Sequence, residues 1–219
     1  MSIKITPIML HYFFGVNCYL IKNEEGYYLV DTAIKKVRKQ LDSEIFASGC
    51  RQGDLKLVIL THGHIDHVGN ALYLKNKYGG KIAMHRDDSE IVDTGKMFGD
   101  ESGLIVKIVG FFTRLLGLSS FERFTPDIYL EDGQSLSPYG LDATIIHNPG
   151  HSRGSVSLLT REGALFCGDL YTNNKQPEKA SIIQDHDQLE KSYERLKKFE
   201  VKMVYPGHGK PFSMDQIPS

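Results

Sequence analysis

The chain of 219 residues has no tryptophan and only three cysteines, Cys18, Cys50 and Cys167. Three widely spaced cysteines with no C-x-x-C pair do not build a disulfide framework, and such usage fits a reducing compartment, so the expected localisation is cytoplasmic. Cys167 lies in the apolar run Ala164-Leu165-Phe166-Cys167 and reads as a small core residue. An excess of either charge is also missing: 26 Lys+Arg stand against 27 Asp+Glu. No strong global field therefore draws nucleic acid or an anionic membrane. No stretch reaches about 18 uninterrupted apolar residues, so no membrane span is evident. The uncharged stretch between Lys4 and Lys22 imitates a signal peptide, but Pro7, His11 and Asn17 interrupt it and no small-residue cleavage site stands out.

What is present is a globular composition, 41% hydrophobic with 21 Gly, and nine His. Histidine is the commonest metal ligand and the proton carrier of neutral pH. In the first third, Ile3–Leu10, Cys18–Lys22 and Tyr27–Val30 read as strands, with Asn23-Glu24-Glu25-Gly26 as a hairpin turn. Ala33–Ala47 has helical apolar spacing, Leu57–Leu60 is a compact strand, Asp66–Tyr78 reads as a helix and Ile82–Met84 as a strand. Further on, strands are expected at Ala143–Ile146, Ser155–Leu159, Ala164–Cys167 and Lys202–Tyr205, with a helix over Gln188–Phe199. Two similar β-α halves suggest an α/β (α+β) layered sandwich, one domain over residues 1–219. Leu104–Leu118 carries ten large apolar residues in fifteen and marks residues 93–125 as an insertion. That apolar helix reads as a core helix, as a lid over a pocket, or as a membrane-surface or homo-oligomer contact.

Thr61-His62-Gly63-His64-Ile65-Asp66-His67 carries the strongest chemical signal. His62 and His64 are two apart after a strand, so in extended backbone both imidazoles project to one side. Asp66 and His67 follow where the chain turns into a helix. Three later positions share this strand-end, glycine-flanked character: His151 in Pro149-Gly150-His151-Ser152, Asp169 in Cys167-Gly168-Asp169 and His208 in Pro206-Gly207-His208-Gly209. A flanking glycine lets the backbone turn tightly and approach closely. Together these residues can serve two adjacent metal ions.

With T-H-x-H-x-D-H matched in full and the later His, Asp and His in order, the chain resembles the metallo-β-lactamase-fold hydrolases. Pro149-Gly150-His151-Ser152-Arg153-Gly154-Ser155-Val156 resembles their glyoxalase II-like branch. The resemblance implies a four-layer αββα sandwich with the metals at one edge between the sheets. It implies that His62, His64 and His151 bind one metal, that Asp66, His67 and His208 bind the other, and that Asp169 bridges them. Asp31, in Leu29-Val30-Asp31-Thr32, matches an early strand-end Asp that orients ligands through hydrogen bonds.

Nitrogen and oxygen ligands without cysteine suit two divalent ions, zinc foremost, with iron and manganese also compatible. Such ions generate hydroxide from bound water near neutral pH and polarise a carbonyl. The expected reaction is hydrolysis of an activated acyl bond in a small molecule, a thioester, ester or lactone. Asp66 and Asp169 are the candidate catalytic carboxylates, Asp66 also as a proton carrier. If Phe111, Phe112, Leu115 and Leu116 face the metals, the substrate has a hydrophobic portion. Tyr171, two residues after Asp169, lines the pocket or packs in the core. Three alternatives stay open: a persulfide dioxygenase-like oxidoreductase with one iron, a metal-binding signalling or ligand-binding module, and a phosphodiesterase or nuclease. Near-zero net charge weighs against the last.

Overall fold

The computed structural model describes residues 2–11, 15–95 and 121–217. Most of the insertion, including the expected helix over 104–118 with Phe111, Phe112, Leu115 and Leu116, lies outside the described residues.

Two mixed sheets face each other. The first has the order β1-β2-β3-β4-β5-β6, from β1 (Lys4–Leu10), β2 (Val16–Asn23), β3 (Gly26–Val30), β4 (Leu55–Ile59), β5 (Lys81–His85) and β6 (Ile128–Leu130). Its first three strands are antiparallel neighbours, and β3 to β6 run parallel. The second sheet has the order β12-β11-β9-β8-β7, from β7 (Ala143–His147), β8 (Val156–Thr160), β9 (Ala164–Asn173), β11 (Met203–Gly209) and β12 (Phe212–Ser213). A short β10 (Glu178–Lys179) adds to β9, and β9 and β11 are parallel. Among the described residues the α-helices are α1 (Arg38–Ala47), α2 (Ile65–Val68), α3 (Ala71–Tyr78), α4 (Ser89–Thr94) and α5 (His186–Leu196).

The period-two geometry of strands explains the layering, because successive side chains point to opposite faces. In β3, Tyr27 and Leu29 join the apolar layer with Leu41 and Ile45 of α1 and Leu74 and Tyr78 of α3. Tyr28 and Val30 point the other way, into the layer between the sheets with Phe166. In β9, Leu165 and Cys167 face Leu189, Tyr193 and Leu196 of α5. Three apolar layers separate four layers of structure, the expected αββα sandwich. Among the described residues, no helix is long and apolar enough to cross a membrane.

Two expected helices break where the site is assembled. The first begins only after Asp31 and Ala33 adopt positive φ of 59° and 54° and a 3-10 turn covers Lys35–Val37. The second splits into α2 and α3 at Gly69-Asn70. A Cβ on Gly69 would lie 2.8 Å from Ile34 Cα and Lys35 N, so only glycine permits the contact. Asn70 fixes it: its Nδ2 donates to the carbonyls of Thr32 (2.7 Å) and Ile34 (2.9 Å). The strand expected over Ala164–Cys167 continues to Asn173, so Asp169 lies inside β9 rather than beyond it.

Candidate metal centre

The segments that follow β4 and β7 meet the C-terminal parts of β9 and β11 at one edge of the sandwich. They bring His62, His64, Asp66, His67, His151, Asp169 and His208 into one cluster. His62 Nε2 is 3.1 Å from His64 Nδ1, and His151 Nε2 is 3.2 Å and 3.0 Å from those two atoms. A tetrahedral ion held at about 2.0–2.1 Å spaces its ligands about 3.3 Å apart, so this triangle fits one closely. His67 and His208 converge with Asp66 on a neighbouring point, His208 Nε2 being 3.4 Å from Asp66 Oδ2. Asp169 lies between the two groups: Oδ1 is 3.3 Å from His67 Nε2, and Oδ2 is 3.4 Å from His208 and 3.6 Å from His151.

Hydrogen bonds behind the rings decide which nitrogen faces inward. The Thr61 hydroxyl donates to Asp31 Oδ2 at 2.8 Å, so its oxygen accepts from His62 Nδ1 at 3.0 Å. His67 Nδ1 donates to the same Asp31 oxygen at 2.8 Å, His151 Nδ1 to the Ile182 carbonyl at 2.7 Å, and His208 Nδ1 to the Gly15 carbonyl. With Nδ1 carrying the proton, each neutral ring turns a bare Nε2 lone pair toward the centre. The other oxygen of Asp31, Oδ1, accepts from Thr61 N at 2.8 Å.

Among the described residues, three buried side-chain atoms lack a hydrogen-bond partner: His67 Nε2 and Asp169 Oδ1 in this cluster, and Asn148 Oδ1 outside it. Buried polar atoms are almost always satisfied, and an ion is a standard reason for an exception. A Cβ on Gly207 would press into Asp169 Oδ1 and lie 2.7 Å from His67 Cε1, so the backbone leaves room only for these ligand atoms. The residues therefore fit a pair of metal ions.

The two halves differ electrostatically. Burial, followed by the neighbouring imidazoles, pushes His62 well below the usual histidine value, and burial with His151 pushes His64 down to about 4. In the other half, burial works the same way but is outweighed by carboxylates. Asp169, Asp31 and Asp66 hold His67 well above its usual value, and Asp169 and Asp66 push His208 up to about 10. Asp169 itself is held well down, burial being overcome by His67 and His208. Without metal, His62 and His64 present neutral imidazoles, whereas His67 and His208 are cationic. Asp66 is the more open carboxylate, 35% exposed against 11% for Asp169.

Tyr171 is not part of this cluster. It is buried with Tyr193 and Phe212 under α5, ring centroids 5.1 Å and 6.4 Å away, which corrects the pocket-lining reading in favour of packing. Sequence reading missed the residues that hold the loops. Asn17 Nδ2 and the Tyr19 hydroxyl donate to the Pro206 carbonyl at 3.0 Å and 2.6 Å, fixing the turn before His208. Asn70 and Asp88 were missed as well. Their signal is weak: single polar residues that become partners only through tertiary contact. His85, Asp87 and His147 form another group within reach of one ion. However, the His85 and His147 rings stack at 4.0 Å and 8°, so their in-plane lone pairs run side by side instead of converging.

Fold and site together define a metallo-hydrolase of the metallo-β-lactamase type. The chain belongs to the metallo-beta-lactamase superfamily, whose family model matches residues 11–208. It is similar to hydroxyacylglutathione hydrolase GloC of Haemophilus influenzae, 27% identical over 78% of this chain and 72% of that protein. The human acyl-coenzyme A thioesterase MBLAC2 is 26% identical over 92% of this chain and 75% of its own length. A beta-lactamase-like protein 2 homologue of Drosophila melanogaster is 25% identical over 89% of this chain, and the chain spans only 59% of it. Among solved structures, TTHA1623 in a di-iron-bound form has a TM-score of 0.74 at 24% identity over 96% of both chains, a likeness of fold.

Proposed function

We propose that the chain hydrolyses an activated acyl bond of a small molecule, a thioester before an ester or lactone, at a dinuclear metal centre. The carrying observation is the pair of convergent ligand groups around Asp169, with His67 Nε2 and Asp169 Oδ1 buried and unpartnered. His62, His64 and His151 would hold one ion, Asp66, His67 and His208 the other, and Asp169 would touch both. Zinc suits these donors, and iron or manganese are compatible. Bound there, two divalent ions would supply a water deprotonated near neutral pH and positive charge against an acyl oxygen.

The protein's own residues provide the rest. Asp31, Thr61 and the Ile182 and Gly15 carbonyls fix ring orientation, so the ligands need little rearrangement. Asp66, at the open side, would carry the nucleophile's remaining proton to the leaving group. The relatives named acyl-coenzyme A thioesterase and hydroxyacylglutathione hydrolase support the thioester. Assignment of an apolar acyl portion to Phe111, Phe112, Leu115 and Leu116 rests on the sequence alone. The complete Asp66, His67 and His208 half supports this reading over a single-iron dioxygenase.

The test is a panel of acyl thioesters, esters, lactones and a phosphodiester, assayed with zinc-, iron- and manganese-reconstituted protein. Metal-dependent turnover is expected, fastest on thioesters with longer apolar acyl groups. Phosphodiester cleavage alone, or full thioester hydrolysis after metal removal, overturns the proposal.

A further inference from the structure

Asp88 lies outside the cluster of seven, in the 3-10 turn Arg86–Asp88 that follows β5, and is only 2% exposed. Its Oδ2 accepts from Gly63 N at 2.8 Å and from the Ser152 hydroxyl at 2.7 Å. Its Oδ1 accepts from Gly154 N at 2.7 Å. Gly63 separates His62 from His64, and Ser152 follows His151. One buried carboxylate therefore ties the loop that carries two of the converging imidazoles to the loop that carries the third. These loops come from different sheets.

The closeness of the approach is visible in the glycines. A Cβ on Gly154 would lie 2.6 Å from Asp88 N and 2.7 Å from its Cγ, and one on Gly63 would lie 3.2 Å from Asp88 Cβ. Both loops use glycine where Asp88 needs them near. The Ser152 hydroxyl is committed to Asp88, so Ser155, 2.7 Å away, donates to Ser152 and accepts from Ser152 N at 3.1 Å. None of these hydrogen bonds reaches Asp66, His67 or His208.

We infer that Asp88 is a positioning residue for the three-histidine half of the centre, setting the spacing of His62 and His64 against His151 before an ion arrives. The inference rests on the proposed metal-binding reading. An amide at this position keeps one acceptor and turns two donors outward. Whichever way it lies, either Gly63 N–H or Gly154 N–H faces an NH2 group and loses its partner. A half-satisfied buried network loosens the geometry it was built to hold.

The test isolates each half. Metal-free Asp88→Asn is titrated with Zn²⁺ against a chromogenic chelator in two backgrounds, His208→Ala, which disables the carboxylate-rich half, and His151→Ala, which disables the three-histidine half. Co²⁺ spectra report the geometry of each remaining half. Loss of about 10- to 100-fold in affinity is expected in the first background, the range seen when outer partners of metal ligands are removed, and no change in the second. Ser152→Ala, which leaves both backbone bonds in place, should give a smaller loss in the same direction, and it serves if Asp88→Asn does not fold. Equal weakening of both halves, or of neither, overturns the role of Asp88. A wild-type chain that takes up no metal overturns the metal-binding reading and this inference with it.

Discussion

Replacing Asp31 by Asn probes the support of the carboxylate-rich half in a way that charge alone does not explain. Asp31 has φ of 59°, and asparagine tolerates left-handed backbone as well as aspartate does, so the turn should survive. The change falls on the acceptors. Asp31 Oδ1 receives Thr61 N, and Oδ2 receives both the Thr61 hydroxyl and His67 Nδ1, all at 2.8 Å. If the amide oxygen keeps Thr61 N, the NH2 group faces His67 Nδ1. On giving up its second proton the ring then keeps the remaining one on Nε2, the atom that should receive metal. Loss of about 10- to 100-fold in metal affinity is expected, equivalent to about 1.4–2.8 kcal/mol. It should fall mainly on the Asp66, His67 and His208 half, with a lesser effect through Thr61 on His62. Chelator competition on metal-free protein reads this directly, and NMR of the imidazole nitrogens reads the tautomer. Wild-type affinity in both halves, with His67 still protonated on Nδ1, would contradict this role of Asp31.

Other perturbations follow from the same geometry. His208 is raised to about 10 in the metal-free chain, so its pairing with Asp66 and Asp169 stabilises the fold fully below the ordinary value of 6.5 and is lost as pH climbs toward 10. Thermal midpoints of metal-free protein should fall over that window, and a rise would contradict the assignment. Asp169, held below 3.8, contributes stability that disappears as pH drops below that value. Because ligands bind metal only when deprotonated, metal uptake near neutral pH should release protons from His67 and His208. His62 and His64 are already neutral, so calorimetry in buffers of different ionisation enthalpy should show little release when His208→Ala leaves only their half. Gly207→Ala should cost metal binding before it costs folding, since its Cβ meets Asp169 and His67, and metal content set beside the circular dichroism spectrum checks this. Phe166→Ala empties the layer between the sheets and should destabilise by about 3–5 kcal/mol in urea unfolding, with a loss below about 1 kcal/mol arguing against that packing.

Much of the fold was legible because buried strands announce themselves. Tyr27–Val30 and Leu57–Leu60 are apolar on both faces, as strands between two covered layers must be. The hairpin after β2 was legible from Asn23 and Gly26, and Asn23 Oδ1 indeed accepts from Glu25 N and Gly26 N. The breaks at Lys35–Val37 and Gly69-Asn70 were not, because local apolar spacing there is helical and the interruption comes from a loop packed 36 residues away in sequence. The strand β6 and the pairs β10 and β12 are too short to show periodicity. In the site, the seven converging residues were legible from strand-end glycines and ligand types. Asp31 came from its match to the family motif. Asp88, Asn17 and Tyr19 act through backbone groups of distant loops, and no spacing in the sequence reveals such partners. Tyr171 shows the opposite limit: two residues from Asp169 it should share its face, but Gly168 at φ of 52° and a shift in the pairing with β11 between Gly168 and Thr172 break the alternation there.

Metal content per chain, measured alongside thioester hydrolysis, decides whether the seven residues hold two ions around one shared carboxylate. Two equivalents are expected in the wild type, about one after His208→Ala or after His151→Ala, and little activity in either variant. A single equivalent in the wild type, or undiminished hydrolysis by the metal-free chain, would contradict that arrangement.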